Sequence, residues 1–206
     1  MSLFKLDHLA VSCDVLSDGV AAMEKRLDTK LAPGGKHAAM STHNQLLNLG
    51  PDLYFEVIAV DPDAPAPGRR RWFNLDAFEG PPRLMNWALQ TDDIEGALRQ
   101  LGPEFGPAIS LERGDLRWKM AVPDSGILPW GGWGPALIEW NGPLPAPRLP
   151  DEGIRLDTLV LHHPAADEIA ERLNTRLAPG TIAFRKAVTP ALEATFTTPR
   201  GDVTLR

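Results

Sequence analysis

Apolar positions along the chain follow two periods, and segments of the two periods alternate. Short runs that alternate or stay apolar, at 4–11, 84–90 and 156–162, predict strands. An amphipathic stretch follows each. Leu16, Val20, Met23 and Leu27 fall on one helical stripe; Ile94, Ala97, Leu98 and Leu101 form a second, and Ile169 with Leu173 a third. Thr91 or Asp92 is placed to cap the second helix and Gly102-Pro103 to stop it, while Pro164 fits the first turn of the third. Strand-like runs come next in each case: 43–49 and 53–60, then 116–122 and 135–141, then 191–197 and 202–206. Gly50-Pro51-Asp52 and Pro199-Arg200-Gly201-Asp202 have the composition of hairpin turns.

The same order is written in the residues themselves. Leu6-Asp7-His8-Leu9-Ala10-Val11, followed by Leu27-Asp28-Thr29-Lys30-Leu31-Ala32-Pro33-Gly34, returns as Leu156-Asp157-Thr158-Leu159-Val160-Leu161, followed by Leu173-Asn174-Thr175-Arg176-Leu177-Ala178-Pro179-Gly180. A weaker copy opens at Leu84-Met85-Asn86-Trp87-Ala88-Leu89. The expected fold is α+β, built from β-α-β-β-β units at 1–60, 84–142 and 154–206. The segment 61–83 and a Pro-rich run at 143–153 are expected as linkers, and Pro33-Gly34 and Pro179-Gly180 as the ends of helical segments.

Copies of one unit serve as controls for each other. The position of His8 on the opening strand is Asn86 in the second copy and Thr158 in the third. The position of Glu56 on the closing strand is matched to Glu139 and to about Thr204. The unit therefore needs neither the imidazole nor the carboxylates. Strand parity puts His8 with Leu6 and Ala10, opposite Leu9 and Val11, and puts Glu56 with Tyr54 and Ile58. A carboxylate inside the apolar run Tyr54–Val60 needs a cation, a protonation shift or a water-lined cavity, because burying it unpaired costs several kcal/mol. An imidazole and two carboxylates meeting in one cavity would be ligand chemistry for Zn, Fe, Mn, Co or Ni. Ion pairs with Arg71 or Arg117, or strand ends facing water, are the alternatives. His43 and Asn44 open an apolar strand, where polar residues contact a cavity or cap a turn; His37 reads as a loop residue.

Composition narrows the classes. With 20 Pro and 18 Gly, against a usual share of about 12%, a helical bundle is disfavoured and short strands with many turns are favoured. A net charge of -6 argues against a nucleic-acid partner. The single Cys13 cannot form an intramolecular disulfide, and no apolar run is long enough to span or enter a membrane. A soluble, cytoplasmic protein with a small-molecule ligand is expected. Six Trp stand against one Tyr. Trp130-Gly131-Gly132-Trp133 reads as a glycine-hinged lid, with Trp72 and Trp87 lining the same pocket; the alternative is that these rings cover sheet edges or a homodimer contact.

Tandem β-α-β-β-β units with an Asp-His-Leu opening strand and a Glu on the closing strand resemble the vicinal-oxygen-chelate superfamily of glyoxalases, extradiol dioxygenases and bleomycin-resistance proteins. Pro33-Gly34-Gly35-Lys36-His37, Ser41 to Gly50, Tyr54 to Ala59 and Arg71-Trp72-Phe73-Asn74-Leu75 are similar to its glyoxalase-like domain subgroup. The resemblance implies two units facing across a cleft; the third, weaker in these motifs, reads as a degenerate scaffold copy. It implies a divalent metal (Zn, Fe, Mn, Ni or Co) in the members that bind one, acting as a Lewis acid on neighbouring substrate oxygens. By matched position His8, Glu56 and Glu139 would hold it, with His43 as a supporting ligand and the two glutamates as catalytic proton carriers. Asn44, Trp72, Asn86, Trp87, Trp130 and Trp133 would contact substrate. Where metal-binding members place a second His or a Gln on the opening strand of the second unit, this chain has Asn86 or Trp87. The expected function is metal-assisted isomerase, lyase or dioxygenase chemistry on an oxygenated, partly apolar compound. A protein of the same fold that sequesters its ligand without turnover is the alternative.

Overall fold

A computed structural model describes residues 3–174, 177–178 and 182–206. The first unit comprises β1 (Lys5–Ser12), α1 (Leu16–Leu27), β2 (Ala32–His37), β3 (Thr42–Asn48) and β4 (Tyr54–Val60). The second comprises β5 (Arg83–Gln90), α2 (Ile94–Leu101), β6 (Ala108–Arg113), β7 (Leu116–Ala121) and β8 (Ala136–Trp140). The third comprises β9 (Arg155–His163), α3 (Ala166–Asn174), β10 (Ile182–Lys186), β11 (Ala191–Thr198) and β12 (Gly201–Leu205). The fold is mixed α+β, with the β-α-β-β-β order used three times.

The first two units share one eight-stranded sheet of order β2-β3-β4-β1-β5-β8-β7-β6. In each, the opening strand runs parallel to the closing strand, and the two opening strands join the units antiparallel. The sheet curls until its two end strands approach: a Cβ added at Gly35 on β2 would stand 2.7 Å from Arg113 Cδ at the end of β6. Alternation then divides the side chains between two cores. Leu9, Val11, Phe55, Val57, Trp87, Leu89 and Leu137 face outward onto α1, α2 and the third unit. Ala10, Ile58, Ala88, Met120, Ala136 and Ile138 face the concave side.

The third unit keeps the order of elements but not the order of strands. Its sheet runs β10-β9-β11-β12, so β9 pairs with the strand that follows its helix instead of with the closing strand. Its buried face joins the outer core, with Phe196 edge-on to Phe55 at 5.9 Å.

Several local expectations are corrected. Pro33-Gly34 does not end a helix; it lies within β2, an end strand where a proline removes no ladder bond from a neighbour. Pro179-Gly180 lies outside the described residues. The cap of α2 is Asp93, whose Oδ1 accepts from Gly96 N at 2.8 Å, one residue beyond the expected pair. Residues 61–83 are more than a linker, because the turn Trp72–Ala77 buries Trp72, Phe73 and Leu75 over the concave face. Phe73 (φ 59°) and Asn74 (φ 53°) are both left-handed there, held by Asn74 N–H donating to Gly126 O at 2.8 Å.

Candidate functional site

On the concave face lies a narrow cleft walled by Trp72, Phe73, Trp118, Met120, Ile138 and Trp140. Its polar lining is His8, His37, Asn44, Tyr54, Glu56 and Arg113. Apolar walls with a few convergent polar groups are the lining typical of a small-molecule site.

His8 is set by an irregularity in its strand. The β1–β5 register shifts between Leu6 and His8, which leaves Asp7 in a bulge. Neighbours on a regular strand point to opposite faces, but here His8 Nδ1 and Asp7 Oδ1 are 2.6 Å apart and both residues are buried. The bulge also sends Leu6 to the outer core, away from His8, where simple parity had joined them. Trp140 donates its indole N–H to Asp7 Oδ2 at 2.8 Å, and Tyr54 stacks on the imidazole at 4.7 Å. With Nδ1 held by Asp7, His8 Nε2 faces Glu56 Oε2 at 3.7 Å. Burial disfavours the imidazolium, but the hydrogen bond and charge of Asp7, with Glu56 beyond, outweigh it and raise the pKa above the ordinary 6.5.

A second chain of contacts runs from Glu56 to the second unit. Asn44 donates Nδ2–H to Glu56 Oε1 at 2.5 Å, while its Oδ1 accepts from Gly35 N at 2.8 Å and from Arg113 Nη1 at 3.1 Å. Gly34 and Gly35 make the space: a Cβ at Gly34 would meet Asn44 Oδ1 at 2.1 Å. Arg113 Nη1 also donates to His37 Nε2 at 3.1 Å, and His37 Nδ1 lies 3.0 Å from Thr42 Oγ1. Burial, with the Arg113 charge behind it, pushes the His37 pKa down to about 3, so the ring is neutral.

Of the residues expected at the site, His8, Glu56, Asn44 and Trp72 are brought together. His43 and Glu139 are not. His43 alternates to the outer side, beside Val15, Gln45 and Pro62. Glu139 had been matched to Glu56 by its neighbours Leu-Ile-Glu-Trp, but Ile138 and Trp140 line the cavity, so Glu139 falls on the opposite face. There it accepts from Ile94 N at 2.8 Å, the N-terminus of α2, 3.9 Å from Lys119 Nζ. A one-residue slip in a strand exchanges its faces. Asn86 turns to Ser12 Oγ at 3.0 Å. Trp87 lies in the outer core and donates to Trp133 O at 2.9 Å. Trp130 packs edge-on to Phe105, lies 5.6 Å from the Arg172 guanidinium and donates to Glu168 on α3 at 3.0 Å. The loop expected as a lid therefore fastens the third unit. Arg71 pairs with Asp76 and Arg117 with Glu112, not with either site glutamate.

Residues 6–177 match the profile of the glyoxalase-like domain. The chain belongs to the glyoxalase-like domain family. That membership agrees with the resemblance in its strands and places it in the vicinal-oxygen-chelate superfamily. Among solved structures, the glyoxalase-like chain is similar to a hypothetical protein from Staphylococcus aureus, with TM-score 0.63, 15% identity, and 91% of this chain and 88% of that one covered. It is also similar to the Mn(II)-bound glyoxalase from Novosphingobium aromaticivorans, with TM-score 0.52, 12% identity, and 99% and 83% covered. A comparison with curated proteins finds no sequence match. Among the described residues, no helix is long and apolar enough to cross a membrane.

The donor set decides how a metal would fare in this glyoxalase-like site. Structural and catalytic sites use three or four protein donors. Here His8 Nε2 and Glu56 converge, Asp7 is engaged by His8 and Trp140, and His37 Nε2 accepts from Arg113. Among the described residues no group of three His, Cys, Asp or Glu is placed to hold an ion. The residues present do not fit a tightly held divalent metal.

Asp7, His37, Tyr54, Arg113, Trp118 and Trp140 were missed or underweighted from the sequence. Tyr54 shares parity with Glu56, and Trp118 and Trp140 share it with Met120 and Ile138, which is a readable signal. Nothing near Arg113 in the chain points to the cavity.

Proposed function

We propose that this glyoxalase-like protein is a small-molecule enzyme that moves a proton within an oxygenated, partly apolar substrate, as an isomerase or lyase does. One observation carries the reading: the row Asp7–His8–Glu56 at the cavity wall, with 2.6 Å between the first pair and 3.7 Å between the second. Glu56 takes a proton from a carbon next to a carbonyl. The C–H electrons form a C=C bond, and the carbonyl oxygen takes a proton from His8 Nε2, leaving an enol. Returning the proton to the other carbon or face completes an isomerisation. Asp7 favours the His8 cation needed for the first half, and Trp72, Trp118 and Trp140 give the site apolar walls.

Incubation in D2O with small carbonyl compounds tests this. Proton NMR should show deuterium entering the carbon next to the carbonyl, with the rate lost in Glu56→Gln and His8→Gln variants that keep their fold. Variants that exchange at the wild-type rate would overturn the assignment. The aromatic walls also favour a second reading, sequestration without turnover; a ligand that binds and never exchanges supports that one.

A further inference from the structure

The Arg113 guanidinium lines the cavity without an acidic partner. Its Nη1 is pinned by two neutral acceptors, His37 Nε2 and Asn44 Oδ1, each at 3.1 Å. Its Nε and Nη2 have no hydrogen-bond partner among the described residues, and no carboxylate there forms an ion pair with it. That unused edge of the fork matches the two oxygens of a carboxylate. A second donor among the cavity-lining residues is also unpaired. Trp72, 4% exposed and lining the same cavity, has an indole N–H with no hydrogen-bond partner. A buried donor left unpaired costs free energy unless something absent from the folded chain accepts from it.

We infer that the cavity takes short carboxylic acids, anchored by their carboxylate on Arg113 with the Trp72 N–H as a further donor. Arg113 is then the specificity-determining residue, supplied by the second unit to a site whose proton carriers belong to the first. Its distance from them limits the substrate. One side-chain amide, that of Asn44, touches both Arg113 and Glu56. A molecule held on the guanidinium is therefore placed beside Glu56, and carbons close to its carboxylate are the ones brought to Glu56 and His8. Acids bearing a carbonyl or hydroxyl beside the carboxylate meet both requirements. His37 acts on Arg113 as a positioning residue: neutral, it accepts from Nη1 and leaves the charge of the guanidinium uncompensated.

This inference rests on the proton-transfer reading only for which carbon reacts, and binding tests it separately. Quenching of the cavity tryptophans is titrated with pyruvate, lactate and mandelate and with the matching amides. At least one acid should bind wild type about ten- to hundredfold more tightly than its amide. Arg113→Gln should abolish that preference, and Trp72→Phe, which keeps the ring and removes the N–H, should weaken acid binding alone. The first comparison uses unaltered protein, so a variant that fails to fold leaves it intact. Equal binding of acids and amides, or no binding of any acid, overturns the inference. An Arg113-dependent preference for acids without exchange in D2O would sink the enzyme reading and leave this one standing. Exchange of neutral carbonyl compounds that is indifferent to Arg113→Gln would do the reverse.

Discussion

Arg113, at the end of the last strand of the curled sheet, donates to His37 on the first strand across a gap of 3.1 Å. This contact closes the concave face and adds to burial in keeping the histidine neutral, since a second cation would stand against the guanidinium.

The sign of the resulting pH dependence follows. The folded pKa of His37 lies at about 3, against an ordinary 6.5. Below 6.5 the unfolded chain takes a proton here that the folded chain refuses, so stability falls as pH drops from 6.5 to about 3. His8 works in the opposite direction: its pKa is raised, so its contribution is present below 6.5 and lost as pH rises through the folded value. Urea midpoints measured against pH should show a shallower acid limb in His37→Gln. An unchanged limb would mean that His37 does not carry it.

Gly34 should tolerate no side chain. The Cβ of Gly34→Ala would meet Asn44 Oδ1 at 2.1 Å and the Asn44 backbone oxygen at 2.4 Å, and the latter cannot turn aside. A loss of about 1–3 kcal/mol in denaturant unfolding is expected, together with loss of ligand binding as Asn44 is displaced from Glu56 and Arg113. Gly68→Ala, with nothing within 4 Å of the new carbon, should be close to neutral.

The two glutamates once paired by sequence should separate in experiment. Glu139→Gln keeps an acceptor for Ile94 N–H but removes the charge at the N-terminus of α2, a change of about 0.3–1 kcal/mol in stability with no effect on any ligand response. Glu56→Gln should leave the fold and remove the response. If Glu139→Gln removed the response, its placement outside the cavity would be wrong.

Phe196 and Phe55 are fully buried and in edge-to-face contact between the third unit and the first. Phe196→Ala should cost about 3–5 kcal/mol, and both sheets should melt together in calorimetry, because one continuous core joins them. Separate melting of the third unit would contradict that.

The element order was legible because each β-α-β-β-β unit must show its buried face through local periodicity, and it does so three times. His8 and Glu56 stood out for a related reason: polar residues in apolar strands mark a departure from what the unit needs, although the third unit's different strand order makes Thr204 no counterpart of Glu56. The lid assigned to Trp130 and Trp133 failed because composition reports a large ring and not the surface it covers. Glu139 was misplaced because a repeat aligned by letters can slip by one residue, and in a strand one residue is the difference between two faces.

By itself, the sequence determined the units, their repetition and the imidazole and carboxylate at the centre of the first. Only the tertiary structure decided what surrounds them. The bulge that turns Asp7 onto His8 depends on the pairing of β1 with β5, and the arrival of Arg113 depends on curling eight strands until their ends meet. Both are set by contacts between residues far apart in the chain, and such contacts leave no local period to read.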